Sequence, residues 1–290
     1  MIENHPKARP QSGLSKACLI YEALAEGGIT RFLAFFIHNE SSVVGPIRSA
    51  RPYFVYWNLE NYGVYVHCGQ SFAAFQLIAS LNLPTINQMW RDEAAKIFYR
   101  DHRRKAPHNL YSSTYKLRKI IQEKNWNKHL SGFKFLFYDT LEKNPPTQPA
   151  PEIIIKFKPF HYWVSYVYDK KQNSYLRFEE GKPHYDALTG EQLKAKNIII
   201  QFIDTTPADN EGRLDFELLG EGKAFYLRQN EVISGKWLKQ SYFLPTSYLN
   251  DKNSSVPLLS GQTWIEVMPY SAEITIKNKN GYQKIWNGIQ

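Results

Sequence analysis

The chain is predicted to be a mixed protein of the α+β / α/β class, with an α/β N-terminal domain followed by a β-rich C-terminal domain. Three observations predict this. The first half repeats strand, turn and helix in order, the pattern of a layered α/β unit. The second half is a series of short strand-like runs separated by turn residues, with few helical periods. Between them, Asn144-Pro145-Pro146-Thr147-Gln148-Pro149-Ala150-Pro151 carries four prolines in eight residues and favours extended backbone. The expected boundaries are therefore 1–144, a linker at 145–151, and 152–290.

In the first half, strands over Cys18 to Ala25 and Ile29 to His38 flank Glu26-Gly27-Gly28, whose glycines tolerate the positive φ of a hairpin turn. A loop over Val44 to Arg51 leads to Pro52, suited to a first helical position because its missing N–H would be unpaired there anyway. The helix continues over Tyr53 to Glu60. Val64 to His67 is a short apolar strand, and Ser71 caps a helix over Phe72 to Leu81. Ser112 or Ser113 starts a third helix to about Lys124, with Leu117, Ile120 and Ile121 on one face.

In the second half, strands are expected over Glu152 to Phe157, Trp163 to Tyr168, Ser174 to Phe178, Asn197 to Ile203, Leu214 to Leu218, Lys223 to Arg228 and Trp264 to Met268. The chain closes with a hairpin of Ile274 to Lys277 and Tyr282 to Trp286 turning at Asn280-Gly281, a strong two-residue turn pair.

Composition agrees with two folded units. The 290 residues match about two domains of ~150 residues. The 17 Phe, 19 Tyr and 7 Trp favour strands. Mean hydropathy is −0.48, and no window approaches the ~18 apolar residues of a membrane span. The net charge of +9 suits an anionic partner. The densest basic run, Arg100 to Lys105, is too short and too mixed for a nucleic-acid tail. Two cysteines, Cys18 and Cys68, exclude a disulfide framework and four-cysteine zinc sites. Both lie in apolar stretches and are expected as free thiols.

Common enzyme motifs are missing. There is no P-loop, H-E-x-x-H or C-x-x-C, so no metal and no cofactor is expected. Ser113-Thr114-Tyr115-Lys116 matches S-x-x-K without a Lys-Thr-Gly partner and reads as a helix start.

Polar groups gather in the first half instead. Arg48 and Arg51 precede one helix N-terminus, and His67 and Ser71 precede another. Such termini attract anions through free N–H groups and the helix dipole, and arginines add forked donors. The expected ligand site comprises Arg31, Arg48, Arg51, His67, Ser71 and Asn109, with Arg177 in the second half. The alternative is that Glu22, Glu26 and Asp92 bind the arginines as a structural network. For a catalytic role, Glu22 or Glu26 is the candidate base and His67 or His108 the candidate acid.

Several blocks carry a family resemblance. They are Asn4-His5-Pro6, Arg9 to Leu14, Glu22, Glu26 to Arg31, Gly45 to Pro52 and Ala106 to Tyr111 in the first half. In the second they are Tyr175-Leu176-Arg177, Pro183 to Asp186, Lys196 to Gln201, Gly235-Lys236-Trp237 and Gly261 to Trp264. Together they resemble the YerB-type lipoprotein family, bacterial proteins of unknown function with separate N-terminal and C-terminal family domains. The resemblance implies an extracytoplasmic, membrane-anchored protein, although Met1 to Pro6 show no signal or anchor. It leads to an expectation of non-catalytic binding at the envelope, the ligand being an anionic small molecule or an envelope component. The alternatives are a hydrolase of an anionic envelope substrate and a module docking a UvrD-type helicase through the turn at Asp186 to Glu191.

Overall fold

A computed structural model describes residues 1–90, 92–126, 148–158 and 161–288. The first half holds strands β1 (Ile2–Glu3), β2 (Leu19–Leu24), β3 (Thr30–Phe35), β4 (Tyr65–His67), β5 (Thr85–Asn87), β6 (Tyr99–Arg100) and β7 (Leu110–Tyr111). Its helices are α1 (Pro52–Glu60), α2 (Phe72–Ser80) and α3 (Thr114–Glu123). The second half continues with β8 (Gln148–Pro149), β9 (Glu152–Lys156), β10 (Trp163–Asp169), β11 (Ser174–Glu179), β12 (Lys182–Pro183), β13 (Lys194–Ala195) and β14 (Asn197–Ile203). It ends with β15 (Thr205–Pro207), β16 (Leu214–Phe216), β17 (Gly220–Arg228), β18 (Glu231–Lys239), β19 (Ser247–Asn250), β20 (Thr263–Pro269), β21 (Glu273–Asn278) and β22 (Gly281–Asn287).

Local chemistry explains the helices. Pro52 opens α1. Ser71 Oγ accepts from the Ala74 N–H at the start of α2, and Ser113 Oγ from the Lys116 N–H at the start of α3, both at 3.3 Å. Helix α2 connects the parallel strands β4 and β5, as a parallel pair requires.

The larger sheet has the order β1-β3-β2-β20-β14-β17-β18-β19, with β8 beside β18. The smaller has the order β12-β11-β10-β9-β21-β22, with β13 beside β11. Their facing sides share one core: Ile20, Phe32, Ile198, Ile200 and Trp264 from the first, and Ile153, Ile155, Val164, Tyr175 and Ile274 from the second. The alternate residues Tyr21, Leu33, Ile199 and Ile265 face the other way, against Tyr53, Phe54 and Trp57 of α1 and Ile78 of α2. Strand β14 is buried at all seven positions because both faces of the sheet are covered.

The pairing changes how the expected division is to be understood. Strand β2 lies parallel to β20, with Ile20 opposite Trp264 and Glu22 opposite Glu266. The larger sheet thus runs across the boundary, a long-range pairing that composition along the chain does not reveal. Of the proline-rich segment, residues 145–147 lie outside the described residues, while Gln148 and Pro149 are extended and pair with Val232 and Glu231. The described part of the second half contains strands and no helix. Among the described residues of the first half, β2 pairs antiparallel to β3 and the small β4–β5 pair carries a helical crossover.

Two local expectations shift. The last hairpin closes Asn278 onto Gly281, so Lys279-Asn280 form the turn and Gly281, at φ +108°, begins the strand. The strand expected over Leu214 to Leu218 stops at Phe216. Cys18 and Cys68 are free thiols; Cys18 Sγ donates to the Phe35 carbonyl and Cys68 Sγ to Gln88 Oε1.

Candidate functional site

Three polar groups stand out, one between the sheets, one beside α1 and one on a turn. The first is centred on Arg177, in the middle of β11 and without solvent exposure. Its Nη2 donates to Glu22 Oε2 on β2, and its Nε donates to Tyr166 Oη at 3.1 Å. Its guanidinium lies 4.5 Å from the Trp264 ring centre and 5.5 Å from that of Phe32, close enough for cation–π attraction. Glu22 also accepts from Thr30 Oγ1 at 2.5 Å, Tyr162 Oη at 2.6 Å and Asn4 Nδ2 at 3.2 Å. Arg177 Nη1 lies 3.4 Å from Glu179. Burial raises the Glu179 carboxyl, but His184, Arg177 and Arg9 outweigh it and bring it down to about 2. Burial pushes His184 down to about 3. The neutral ring fits its bonds, with Nδ1 accepting from Arg177 and Nε2 donating to Gln11 Oε1 at 2.8 Å. With its partners all inside the protein, this group holds the sheets together; it offers no open position to a substrate.

The second group contains the arginines of the expected anion site. Arg31 Nη2 donates to Glu26 Oε2 at 2.6 Å, and Arg51 Nε donates to Glu26 Oε1. One carboxylate therefore serves two guanidinium groups. Burial raises the Glu26 carboxyl, but Arg51 and Arg31 outweigh it and lower it. Burial, followed by Arg51, holds Arg31 below its usual value, with a smaller effect from Arg48. Arg48 itself turns to Glu3 Oε1 at 2.9 Å, and His108 Nδ1 meets Glu3 Oε2 at 2.9 Å. His5 stacks on His108 at 4.4 Å.

The remaining expected residues have local partners. Burial lowers His67 to about 4, and its ring meets the Gly69 carbonyl at 2.8 Å and Thr85 Oγ1 at 3.1 Å. Ser71 caps α2. Asn109 ties its own loop, accepting from Arg100 Nη1 and donating to the Asp101 and Arg104 carbonyls. The structure thus brings Arg31, Arg48 and Arg51 into one neighbourhood, divides them between Glu26 and Glu3, and leaves His67, Ser71, Asn109 and Arg177 in other bonds. The expected partners Glu22 and Asp92 are elsewhere, with Arg177 and at the cap of the Glu93–Ile97 turn respectively. No candidate base meets a candidate acid: Glu22 faces Arg177, Glu26 faces arginines, and His108 meets Glu3.

Sequence reasoning missed Glu3, Tyr162, Tyr166, Glu179 and Glu266. Glu266 left one trace, a lone acid in the apolar run Trp264 to Met268, which signals a buried partner.

The third group is the turn between Tyr185 and Gln192, which pair as an antiparallel bridge. Asp186 is fully buried beneath it. Its Oδ1 accepts from the Gly13 N–H at 3.1 Å and the Leu188 N–H at 2.8 Å; its Oδ2 accepts from the Ser15 N–H at 2.8 Å. The Ala187 N–H donates to the Gln11 carbonyl at 2.7 Å. Tyr185 and Leu188 project from this anchored base, 47% and 37% exposed.

Comparisons with known proteins give a consistent family. The model described as "Protein of unknown function (DUF3048) N-terminal domain" matches residues 1–127, and the corresponding C-terminal domain matches 153–265. The curated "Putative lipoprotein YerB" of Bacillus subtilis (strain 168) is 34% identical over 272 residues, covering 93% of this chain and 80% of that protein. A crystal structure of the YerB protein from Bacillus subtilis superposes with a TM-score of 0.82 at 33% identity, covering 94% of this chain and 91% of the other.

Proposed function

The chain belongs to the DUF3048 family, and on that premise we propose that it is a non-catalytic binding protein whose turn at Tyr185–Gln192 docks a protein partner. The observation carrying this reading is the anchored base of that turn. Asp186 and the Gln11 carbonyl fix the backbone, so the apolar side chains of Tyr185 and Leu188 are presented with little ordering cost on binding. The extracytoplasmic, membrane-anchored location that the name of the curated relative, a lipoprotein, supports belongs with the second reading below. A UvrD-type helicase is the partner that the family resemblance brings, and it requires the turn to face the cytoplasm. The test passes a purified UvrD-type helicase over the immobilised chain. Retention that is lost in Leu188→Asp and kept in Arg213→Ala supports the reading; equal retention by the wild type and both variants removes the turn from it.

A second reading keeps an anion site beside α1. It is favoured by the sharing of Glu26 between Arg31 and Arg51, which leaves positive charge in excess. Phosphate or sulfate should then raise the melting temperature of the wild type and not that of Arg51→Gln.

A further inference from the structure

A cavity of about 310 Å³ lies apart from all three groups, between β3, the segment after α1, β4 and α3. Its walls include Leu33, Phe35, Val44, Ile47, Val66 and Leu117. The cavity is partly open and mostly apolar in its lining, so an apolar chain entering it removes apolar surface of both partners from water. It also falls at the lower end of the ~300–1,000 Å³ range of small-molecule sites.

The lining is polar on one side. Arg118 and Gln122, one helical turn apart on α3, border the cavity. Arg118 Nη2 donates to the Ile37 carbonyl at 2.8 Å and the Phe36 carbonyl at 3.4 Å, which fixes the guanidinium at the end of β3. Its acidic neighbour Glu40 stands 3.9 Å from Nε and is itself exposed. Among the described residues, Arg118 Nη1 makes no hydrogen bond. A carbon-lined space with a positioned, incompletely paired guanidinium at its edge matches an apolar chain ending in an anion.

We propose that this cavity binds a single-chain anionic amphiphile, with the chain among Leu33, Phe35, Val66 and Leu117 and the charged head on Arg118. The head is a carboxylate or a phosphate, and the two are separated by experiment. Full-length protein is titrated calorimetrically with dodecanoate, dodecyl phosphate and dodecanol, each below its micelle concentration. Saturable binding of about one equivalent is expected for at least one of the anions, and the tighter anion identifies the head. Arg118→Gln should weaken that anion at least fivefold and leave dodecanol unchanged. Ile121→Trp, which fills the space from α3, should weaken all three at least tenfold while preserving the near-ultraviolet circular dichroism. Val64→Phe fills the space from the opposite wall and serves if Ile121→Trp fails to fold. Absence of saturable binding, or undiminished binding in the folded cavity-filling variant, overturns the site. Equal affinity for dodecanol and both anions overturns the role of Arg118.

Discussion

Glu22 and Glu266 stand opposite each other on adjacent parallel strands, both fully buried, with Arg177 paired to Glu22. Two buried carboxylates so close do not both ionise readily. Burial first, and the Glu22 charge second, push Glu266 well above the ordinary carboxylate range. Its Oε1 accepts from Tyr166 Oη, and its Oε2 finds no donor. A proton on Glu266 changes that oxygen from an orphaned acceptor into a donor that can meet Glu22. Burial and the neighbouring Glu22 carboxylate therefore favour the protonated form of Glu266 between the sheets.

Glu266→Gln keeps the shape and supplies a donor. It is expected to change stability by no more than about 1 kcal/mol. Arg177→Met leaves Glu22 buried without its cation and should cost about 3–5 kcal/mol. Denaturant midpoints measure both, and equal costs would contradict the assignment of the proton.

The same proton gives stability a pH dependence of known sign. Glu266 is raised in the folded state, so its contribution is complete below the unfolded value of about 4.3 and is lost as pH rises toward the folded value. The wild type should lose stability relative to Glu266→Gln from about pH 5 upward. Parallel stability curves for the two proteins would show that Glu266 holds no extra proton.

The buried histidines act in the acid range. His67 is lowered to about 4 and His184 to about 3, so the unfolded chain takes up their protons first, near pH 6.5. Stability should fall as pH drops from about 6.5 to about 4. Glu179, lowered to about 2, adds a further loss below about pH 4.3. In His67→Gln the slope between pH 6.5 and 4 should be shallower, as read from guanidinium midpoints.

Asp186→Ala removes the acceptor for three backbone N–H groups. A loss of about 1.5–3 kcal/mol is expected from charged hydrogen bonds of this kind. Faster proteolysis between residues 186 and 191 should accompany it, whereas Leu188→Ser should leave both properties unchanged.

Residues 1–144 and 152–290 produced separately should not reach the native state. Each half exposes an edge, β2 or β20, that is buried inside the larger sheet, and the second half keeps Arg177 without Glu22. Mixing the two is expected to restore native near-ultraviolet circular dichroism. Independently folded halves would bear out the separate domains expected from the sequence.

What the sequence determined by itself was local. Short apolar runs bounded by turn residues marked β2, β3 and β14 as strands, Ser71 and Ser113 capped their helices, and Pro52 opened α1. These choices depend on a few neighbouring residues and are legible in order along the chain. The family blocks were legible for the same reason, and Gly235 shows the cause in one case: a Cβ there would lie 2.0 Å from the Leu249 carbonyl oxygen of the adjacent strand. Even local rules slipped where two turns compete, as at Lys279-Asn280. Only the tertiary structure decided the pairing of β2 with β20 and the partners of each charge. Arg177 meets a glutamate 155 positions away, and Arg48 turns to Glu3 across 45. A buried charge is held by whichever opposite charge the folded sheets bring to it, and that choice is made by packing in space, where sequence separation has no bearing.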